Sequence, residues 1–380
     1  MNILINAYSA RLGGGQTYLI NLLQNLPDGN GFRLFVYAPP SLQLPADPRI
    51  TRLSTEWPTT NPITRSIWER FVLPRVLRKL DIDVLFCPGG VVGTTPPKGC
   101  RTVTMFRNMM PFDMRVRRKM PYGLQRLRNW LLERVMLSSM AGADLVIFIS
   151  EFARGVIASR IAVRRHATIP HGVPEIFKAS ERDEQPRPSF VPEGEYLLYV
   201  SRFDVYKHHY EVVSGFAALP AALRERYKLV LVGEKDSPEA ARVQSLIESL
   251  HLNEQVVVAG AAKYQELPAA YRHAALILFA SSCENCPNIL LEALGAGRPV
   301  LCSSVDPMPE FGADSVLYFD PREPDQIAEG LRKVLTDPER AEELGRKAAA
   351  RSQRYDWKVT AASTWRQILS LGTVSHGGAK

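Results

Sequence analysis

The 380-residue sequence contains few cysteines and no long apolar run. The cysteine count is five, an odd number at scattered positions, which excludes a disulfide framework and favours a reducing compartment. No stretch reaches the roughly 18–20 uninterrupted apolar residues that a membrane-spanning helix needs. The first seven residues lack a basic leader, so we expect no signal peptide. With 46% apolar and 23% charged residues, the composition is typical of a globular protein and excludes a mainly disordered one.

Positive charge is concentrated in one window of the sequence. The whole chain has a formal net charge of +8, and residues 101–134 contain nine basic and two acidic residues, a net charge of +7. Methionine and aromatic side chains lie between these charges, and the mixture favours docking on an anionic membrane surface. The alternative is a solvated helix face whose methionines point to the core. No recognised nucleic-acid module is present, so we do not expect a nucleic-acid partner.

Short β-rich runs alternate with helical patterns twice along the chain. The alternation predicts two α/β domains with parallel sheets, residues 1–175 and 196–355, joined by a linker at 176–195 that is rich in proline and charge. Ligands of such sheets bind at the carboxyl ends of strands, so an interdomain cleft is the expected site. The predicted strands are Asn2–Ala7, Phe32–Tyr37, Val84–Cys87, Thr102–Phe106, Leu145–Ile149 and Ala167–Ile169, then Tyr196–Val200, Lys228–Val232, Val256–Ala259, Leu276–Phe279, Val300–Cys302 and Val316–Phe319.

The most informative stretch runs from residue 283 to residue 300. Pro287 fits the first turn of a helix that continues through residues 288–296, and free N–H groups at a helix start bind anions. Glu284 lies in the loop before this start, and Glu292 lies more than a turn into the helix. This placement suits a ligand with a central phosphate and hydroxyls at both ends. The alternative is a solvated loop acid and an exposed helix acid.

Two charged residues follow a predicted strand further upstream. Arg202 and Lys207 lie beyond Tyr196–Val200, where a guanidinium fork and an ammonium could hold a diphosphate and stabilise a charged leaving group. The alternative for Arg202 is a surface ion pair. Glycines occupy the first strand-to-helix loop, but their spacing is not Gly-x-Gly-x-x-Gly, so a nicotinamide dehydrogenase is not supported.

Taken together, these motifs resemble those of retaining glycosyltransferases of family 4 (group 1), which have the GT-B fold of two doubly wound Rossmann-like domains facing a cleft. The resemblance rests on Glu284-x7-Glu292 with the following Ala293–Val300, on Arg202 with Lys207, on Leu231–Glu234, on Ile169–Val173 and on Gly13–Gly15. The matches occur in order over about residues 3 to 320. By analogy with this fold, we expect a last helix at residues 356–372 that crosses back to the first domain, and a flexible tail at 373–380.

The resemblance also implies roles for individual residues. Glu284, Arg202 and Lys207 would be catalytic: the first would contact hydroxyls of the donor sugar, and the two cations would bind its diphosphate. Glu292 would hydrogen-bond the ribose hydroxyls of the nucleotide. The other implied donor-binding residues are Gly14, Gly15, Gly233, Pro287, Asn288 and Ile289. Many family members carry His-Asp after the strand that is Thr102–Phe106 here, whereas this chain has Arg107-Asn108. We expect these two residues on the acceptor side.

Three other patterns are set aside as metal or ligand sites. Asp81-Ile82-Asp83 matches a metal–diphosphate motif of a different fold, and it is interpreted as a turn before a strand. Cys283 and Cys286 have no second pair at ligand spacing, so zinc is not expected. His208-His209 is interpreted as a polar helix start, with phosphate or sugar contact as the alternative. We therefore expect no metal and no other cofactor.

The predicted function is transfer of a sugar from a nucleotide-sugar to a carbohydrate or lipid-linked acceptor, with retention, in surface polysaccharide or lipopolysaccharide assembly. The predicted location is cytoplasmic, or peripheral at the inner face of the cytoplasmic membrane. One alternative is a nucleotide-sugar epimerase on the same fold. The other is a non-catalytic carbohydrate-binding protein with a relict donor site, against which the four charged motif residues argue.

Overall fold

The computed structural model describes residues 1–10, 13–29, 31–57, 59, 61–114, 123–179 and 185–372, without the side chains of residues 124 and 125. These residues form two units, each with its own parallel sheet. The first unit contains residues 1–171 and the segment from Trp357 onward, and the second contains residues 172–356. The chain therefore leaves the first unit after His171 and returns to it at Trp357.

The first sheet has seven strands among the described residues, in the order β3-β2-β1-β4-β5-β6-β7, and all neighbours run parallel. The strands are β1 (Asn2–Asn6), β2 (Arg33–Tyr37), β3 (Ile50–Leu53), β4 (Val84–Cys87), β5 (Arg101–Phe106), β6 (Leu145–Phe148) and β7 (His166–Thr168). The strand order reverses direction between β1 and β4, and at such a point an α/β sheet offers a ligand site at its carboxyl edge.

Helices cover this sheet. In the described part of residues 1–171 they are α1 (Gly14–Gln24), α2 (Pro62–Phe71), α3 (Leu73–Lys79), α4 (Leu124–Gly142) and α5 (Glu151–Ala158). Right-handed crossovers place α2 to α5 on one face and α1 on the other, because the chain crosses the sheet in opposite directions before and after β3. Trp68, Leu73 and Leu77 of α2 and α3 pack with Leu4 and Leu85 of the sheet in one buried cluster.

The second sheet has six parallel strands in the part of the chain that the structure describes, in the order β10-β9-β8-β11-β12-β13. They are β8 (Glu195–Val200), β9 (Tyr227–Val232), β10 (Val256–Gly260), β11 (Leu276–Phe279), β12 (Val300–Ser303) and β13 (Leu317–Phe319). The described helices here are α6 (His209–Ala217), α7 (Ala221–Arg226), α8 (Pro238–Ser249), α9 (Leu267–His273), α10 (Asn288–Gly295), α11 (Met308–Gly312), α12 (Pro324–Leu335) and α13 (Pro338–Ser352).

The last described helix, α14 (Trp357–Leu369), packs on α1 of the first unit. Trp365 is fully buried, and its Nε1 donates a hydrogen bond to the carbonyl oxygen of Leu22 at 3.0 Å. The hydroxyl of Tyr18 donates to Thr364 Oγ1 at 3.4 Å. These contacts hold the end of the described chain within the first unit.

Helix starts follow local capping chemistry. Ser150 is the N-cap of α5, and its Oγ accepts a hydrogen bond from the backbone N–H of Ala153 at 3.1 Å. Asn61 caps α2 in the same way through the N–H of Ile63 at 2.8 Å. Ser237 caps α8 through the N–H of Ala240 at 3.1 Å. At each helix start, a backbone N–H group that has no partner within the helix is thereby hydrogen-bonded.

The predicted α/β class with two Rossmann-like units is confirmed. Strand β3 was not predicted, because its residues are half-buried or exposed at the sheet edge and lack apolar alternation. The predicted linker at 176–195 lies within the second unit, where the N–H of Ala179 donates to the carbonyl of Gly295 at 2.8 Å. The predicted tail at 373–380 lies outside the described residues. Among the residues that the structure describes, no helix combines the length and apolarity needed to span a bilayer.

Candidate active site

The carboxyl ends of β8 and β9 lie against each other at Ser201 and Gly233. The N–H of Ser201 donates to the carbonyl of Val232 at 2.9 Å. A Cβ at position 233 would lie 2.1 Å from the carbonyl oxygen of Ser201, so a glycine is required there for packing alone. Gly233 therefore lets the two strand ends approach each other. This packing role does not test its predicted contact with the donor, which stays a prediction.

A buried ion pair joins the two loops that carry the predicted catalytic residues. Lys207 ends the 3₁₀ turn Val205–Lys207 that follows β8, and Glu284 lies in the loop after β11. Lys207 Nζ donates to Glu284 Oε1 at 2.5 Å, and the two side chains are only 9% and 17% exposed. The hydroxyl of Tyr199 donates to the Lys207 carbonyl at 2.5 Å and holds the lysine backbone in place. The structure thus brings these two predicted residues together.

Arg202 lies at the same strand end but has a different environment. Its side chain is 74% exposed, and Nη2 lies 2.9 Å from Asp204 Oδ2. The surface ion pair considered from the sequence is therefore present. A pair this exposed contributes little to stability, so the guanidinium is available to an anionic ligand at little cost.

Glu292 is buried within α10, so the alternative of an exposed helix acid is wrong. Burial raises the pKa of this carboxyl to about 8, although a hydrogen bond from the Tyr264 hydroxyl at 3.2 Å acts in the opposite direction. Sequence reasoning missed Tyr264, which lies in a separate 3₁₀ turn, Tyr264–Glu266, without any motif around it. The site therefore contains a carboxyl group that is largely protonated at neutral pH.

The helix that contains Glu292 begins one residue later than predicted. Asn288 is its first residue, and Pro287 precedes it with φ −81° and ψ 80°, which is not helical. Pro287 is buried, whereas Asn288 and Ile289 are partly exposed. The first turn of α10 contains no acidic residue, so its N–H groups are compatible with an anionic or hydroxyl ligand.

His208 and Ser282 connect the lysine loop to the glutamate loop. A ring nitrogen of His208, Nε2, lies 2.8 Å from Ser282 Oγ, and the N–H of Ser282 donates to the carbonyl of Tyr206 at 2.8 Å. His208 adopts a left-handed backbone with φ 53°, a conformation that costs energy in a residue other than glycine. Sequence reasoning missed Ser282, because a lone serine after a strand carries no pattern.

The interpretation of His208-His209 as a polar helix start needs correction. Helix α6 does begin at His209, but both imidazole rings are buried. His209 is stacked between the rings of Tyr199 and Phe203, with centroids at 4.6 Å and 4.2 Å. Burial, with the nearby Lys207 charge, lowers the pKa of His209 to about 3, so this ring is uncharged. It packs as an aromatic core residue.

In the first unit, the glycine loop lies beside Arg107. Gly13 has φ 58° and precedes α1, whose first residue is Gly14. A Cβ on Gly15 would lie 3.3 Å from Ala10 Cα and 3.5 Å from Arg107 Nη1. The Arg107 guanidinium also lies over the Tyr18 ring, 5.6 Å from its centroid. The start of α1 and Arg107 therefore form one group at the carboxyl edge of the first sheet.

Asn108 is exposed next to this group. Its Oδ1 accepts a hydrogen bond from the N–H of Met110 at 3.2 Å, which closes a local turn after β5. The side-chain amide is thereby oriented by its own loop.

The two sequence patterns that were not assigned to a metal lie at buried positions and in a turn. Cys283 and Cys286 are buried and are not joined by a disulfide. Asp81 has φ 47° in the turn before β4, and Asp83 Oδ2 accepts a hydrogen bond from the N–H of Asn2 at 2.7 Å. Over the described residues, no three His, Cys, Asp or Glu side chains come together in a way that could hold a metal ion.

The two Rossmann-like units, with cationic and carboxylic side chains at the carboxyl edge of the second sheet, define a GT-B protein. Two family models match consecutive parts of the chain: Glycosyltransferase Family 4 over residues 12–177, and Glycosyl transferases group 1 over residues 181–351. The chain belongs to this family of glycosyltransferases, which confirms the resemblance seen in the sequence.

Individual relatives agree with this assignment. The chain is 27% identical over 232 residues to the serotype-specific mannosyltransferase WbdA of Escherichia coli, a match that covers 59% of this chain and 28% of that protein. It is 25% identical over 244 residues to the O-antigen chain mannosyltransferase B of Escherichia coli, which covers 61% of this chain and 62% of that one. The chain thus spans less than two thirds of the length of these relatives.

Among solved structures, the fold is similar to that of sucrose-phosphate synthase from Thermosynechococcus elongatus. The TM-score is 0.78, the sequence identity is 18%, and the match covers 99% of this chain and 100% of the other. At this identity the likeness concerns the fold alone.

Proposed function

We propose that this glycosyltransferase moves a sugar from a nucleotide-sugar to a carbohydrate or lipid-linked acceptor, with retention, in the assembly of a surface polysaccharide or lipopolysaccharide. The observation that carries the proposal is the buried Lys207–Glu284 pair beside the exposed Arg202. Together these three residues would place two cations for a diphosphate and one carboxylate for sugar hydroxyls at the carboxyl edge of the second sheet. The names of the two mannosyltransferase relatives support the polysaccharide context.

Glu292 is the proposed ribose ligand. A carboxyl group buried with a pKa of about 8 would accept hydrogen bonds from two ribose hydroxyls, and these bonds favour the carboxylate. Tyr264 already donates to the same group and would orient it. The backbone at Pro287, Asn288 and Ile289 would face the sugar or phosphate.

The chemical step needs charge stabilisation more than a side-chain base. As the bond from the anomeric carbon to the diphosphate breaks, Arg202 and Lys207 would stabilise the negative charge that develops on the leaving phosphate. The acceptor hydroxyl would attack from the same face, and its proton would pass to the departing phosphate oxygen. Such a route depends on positioning, which the clamped loops of Lys207 and Glu284 would provide. We propose that donor binding needs no metal.

The first unit supplies the proposed acceptor side. Arg107, which lies beside Gly15, offers a guanidinium to an acceptor hydroxyl or phosphate, and Asn108 offers an exposed amide. Gly14 and Gly15 would let the backbone at the start of α1 approach the donor phosphates.

An anionic membrane surface is the further proposed partner, through residues 101–134, at the inner face of the cytoplasmic membrane. Within this window the structure describes two kinds of apolar side chain: Met109 and Phe112 are buried in the core, whereas Met114 and Trp130 are exposed. Arg115, Arg117, Arg118 and Lys119 lie outside the described residues. The described arginines of α4 support the proposal.

A thermal-shift experiment tests the donor site. The melting temperature would be measured with UDP, GDP, ADP, CDP and dTDP, each with magnesium and with a chelator. A nucleotide at about 100 times its Kd adds about 2.7 kcal/mol and raises the Tm by several degrees. We expect one of these nucleotides to raise the Tm, by the same amount with magnesium as with chelator. This rise should be lost in Arg202→Ala and Glu292→Ala but kept in the control Arg346→Ala.

A transfer assay with the donor so identified tests the reaction. We expect a product whose anomeric configuration equals that of the donor, read by NMR coupling constants. Conversion of the free donor to its epimer without acceptor would replace the proposal with an epimerase. The absence of any nucleotide effect would replace it with a carbohydrate-binding protein.

A further inference from the structure

Helix α2 carries an apolar stripe that faces solvent. Ile63, Ile67 and Phe71 recur every four residues and are 72%, 42% and 62% exposed. The opposite side of the helix is already apolar, since Trp68 is fully buried in the core. The exposed stripe is therefore not needed for the packing of this helix on its sheet, and an exposed stripe of this kind marks an interaction surface.

Helix α4 repeats this arrangement. Leu127, Leu131 and Val135 also recur every four residues and are about half exposed, and Trp130 lies beside them. The core side of α4 is formed by other residues, among them the buried Met136 and Met140. Both helices thus have an apolar inner side and an apolar outer side.

The two stripes belong to one layer of the first unit. Right-handed connections place α2 and α4 on the same face of the sheet, with their outer sides turned away from it. The segment 92–95 joins them: Arg70 Nη1 donates to Thr95 Oγ1 at 2.6 Å, and the N–H of Val92 donates to Ser139 Oγ at 2.6 Å. A cavity of about 600 Å³ opens between this segment and α4, with Arg134 and Val135 in its wall.

The same layer is strongly basic. Helices α2 and α3 contain five basic residues and one acidic residue, Glu69, which accepts a hydrogen bond from the Asn6 amide at 2.9 Å. Helix α4 contains three arginines and one acidic residue, Glu133, which is ion-paired with Arg160. The basic residues of the layer are Arg65, Arg70, Arg75, Arg78, Lys79, Arg126, Arg128 and Arg134.

We propose that the outer faces of α2, α3 and α4 form one docking surface for an anionic lipid bilayer. The apolar stripes would enter the boundary between headgroups and acyl chains, and the surrounding basic residues would lie among the anionic headgroups. A second copy of the chain fits this face poorly, because a symmetric contact would bring the same positive charges together. The proposal extends the membrane contact of residues 101–134 to α2 and α3, which the sequence window does not include.

Co-sedimentation of the full chain with lipid vesicles tests this surface. Vesicles of phosphatidylcholine alone are compared with vesicles that also contain phosphatidylglycerol, at low and high salt. We expect binding only to the anionic vesicles and weaker binding at high salt. The combined change Ile63→Ser, Ile67→Ser and Phe71→Ser should lower the vesicle partition coefficient by at least about tenfold, because it removes the apolar contact of α2.

Charge variants test the basic residues of the surface. The pair Lys79→Gln and Arg128→Gln should lower the partition coefficient by about fivefold per charge. Matched controls lie on exposed positions elsewhere: Leu250→Ser with Val359→Ser for the apolar change, and Arg340→Gln with Arg346→Gln for the charge change. Because all substituted side chains of the stripe are exposed, the Tm should change little.

Several outcomes would overturn the proposal. These are an absence of binding to anionic vesicles, equal binding to both vesicle types, stripe variants that bind as the controls do, or a dimer that the stripe variants dissociate. The proposal rests on the proposed function only in that a lipid-linked acceptor would lie in the same bilayer. Nucleotide thermal shifts separate the two: we expect them to be unchanged in the stripe variants, and their absence from the unaltered chain would leave the docking result standing.

Discussion

Lys207 Nζ and Glu284 Oε1 lie 2.5 Å apart although their residues are 77 positions apart in the sequence. The pair is mostly buried, so each charge depends on the other. In the proposed site it would keep the lysine in place before the donor binds, and the arriving diphosphate would then share the lysine with the carboxylate. In the proposed site, stability and catalysis would therefore both depend on this pair.

The pair should show strong coupling. Lys207→Met or Glu284→Leu leaves one charge poorly solvated, and either change should lower the free energy of unfolding by about 3 kcal/mol. The double variant should be more stable than the sum of the two losses predicts, by more than about 1 kcal/mol. Chemical denaturation of the four proteins measures this cycle. Additive losses would mean that the interaction between the two side chains contributes little to the free energy of unfolding.

Glu292 should make stability depend on pH. Its folded pKa of about 8 lies above the ordinary value of 4.5, so the folded state binds this proton more tightly than the unfolded state does. The resulting stabilisation is complete below pH 4.5 and is lost as the pH rises through 8. Relative to the unaltered protein, Glu292→Gln should therefore gain stability from pH 5 to pH 8, on the order of a few kcal/mol. Melting curves across this range test it, and a constant difference would contradict it.

Nucleotide binding should release a proton at neutral pH. Ribose hydroxyls that donate to Glu292 favour its carboxylate and lower its pKa, so affinity should rise with pH up to about 8 and then level off. Calorimetry in two buffers of different ionisation enthalpy measures the proton directly. Glu292→Gln should remove the buffer dependence. An affinity independent of pH in the unaltered protein would argue against a ribose contact at this residue.

Gly233 should not tolerate a side chain. Gly233→Ala would place a Cβ 2.1 Å from the Ser201 carbonyl, so the ends of β8 and β9 must separate. We expect a loss of more than about 2 kcal/mol in the free energy of unfolding. Gly142→Ala, at a helix position with no atom within 4 Å of the new Cβ, is the control and should be neutral or slightly stabilising. Equal stability of the two variants would contradict the packing argument.

Arg107 should separate acceptor binding from donor binding. Arg107→Ala is expected to raise the KM for acceptor at least about tenfold, while the nucleotide thermal shift stays normal, because Arg107 lies in the first unit and the cations proposed for the diphosphate, Arg202 and Lys207, lie in the second. Arg33→Ala, an exposed arginine elsewhere in that unit, is the control. Normal transfer by Arg107→Ala would remove this residue from the acceptor side.

Much of the molecule followed from local sequence. Strands β4 and β11 lie where the apolar runs predict them, since a strand buried on both faces needs a continuous apolar run. Family membership also followed from motifs such as Glu284-x7-Glu292, because residue type and spacing within one loop and helix are local properties. The edge strand β3 did not follow, because half-exposed edge residues have no apolar pattern.

By itself, the sequence determined the fold class, the family and the candidate charged residues. Only the tertiary structure decided the state of those residues: that Lys207 is paired with Glu284, that Arg202 is exposed, and that Glu292 is buried beside Tyr264. It also decided that α2 turns an apolar stripe to solvent, which the helical period alone could not distinguish from a core-facing one. The physical reason is that burial and pairing depend on partners distant in the chain, whereas motifs and periodicity report only near neighbours.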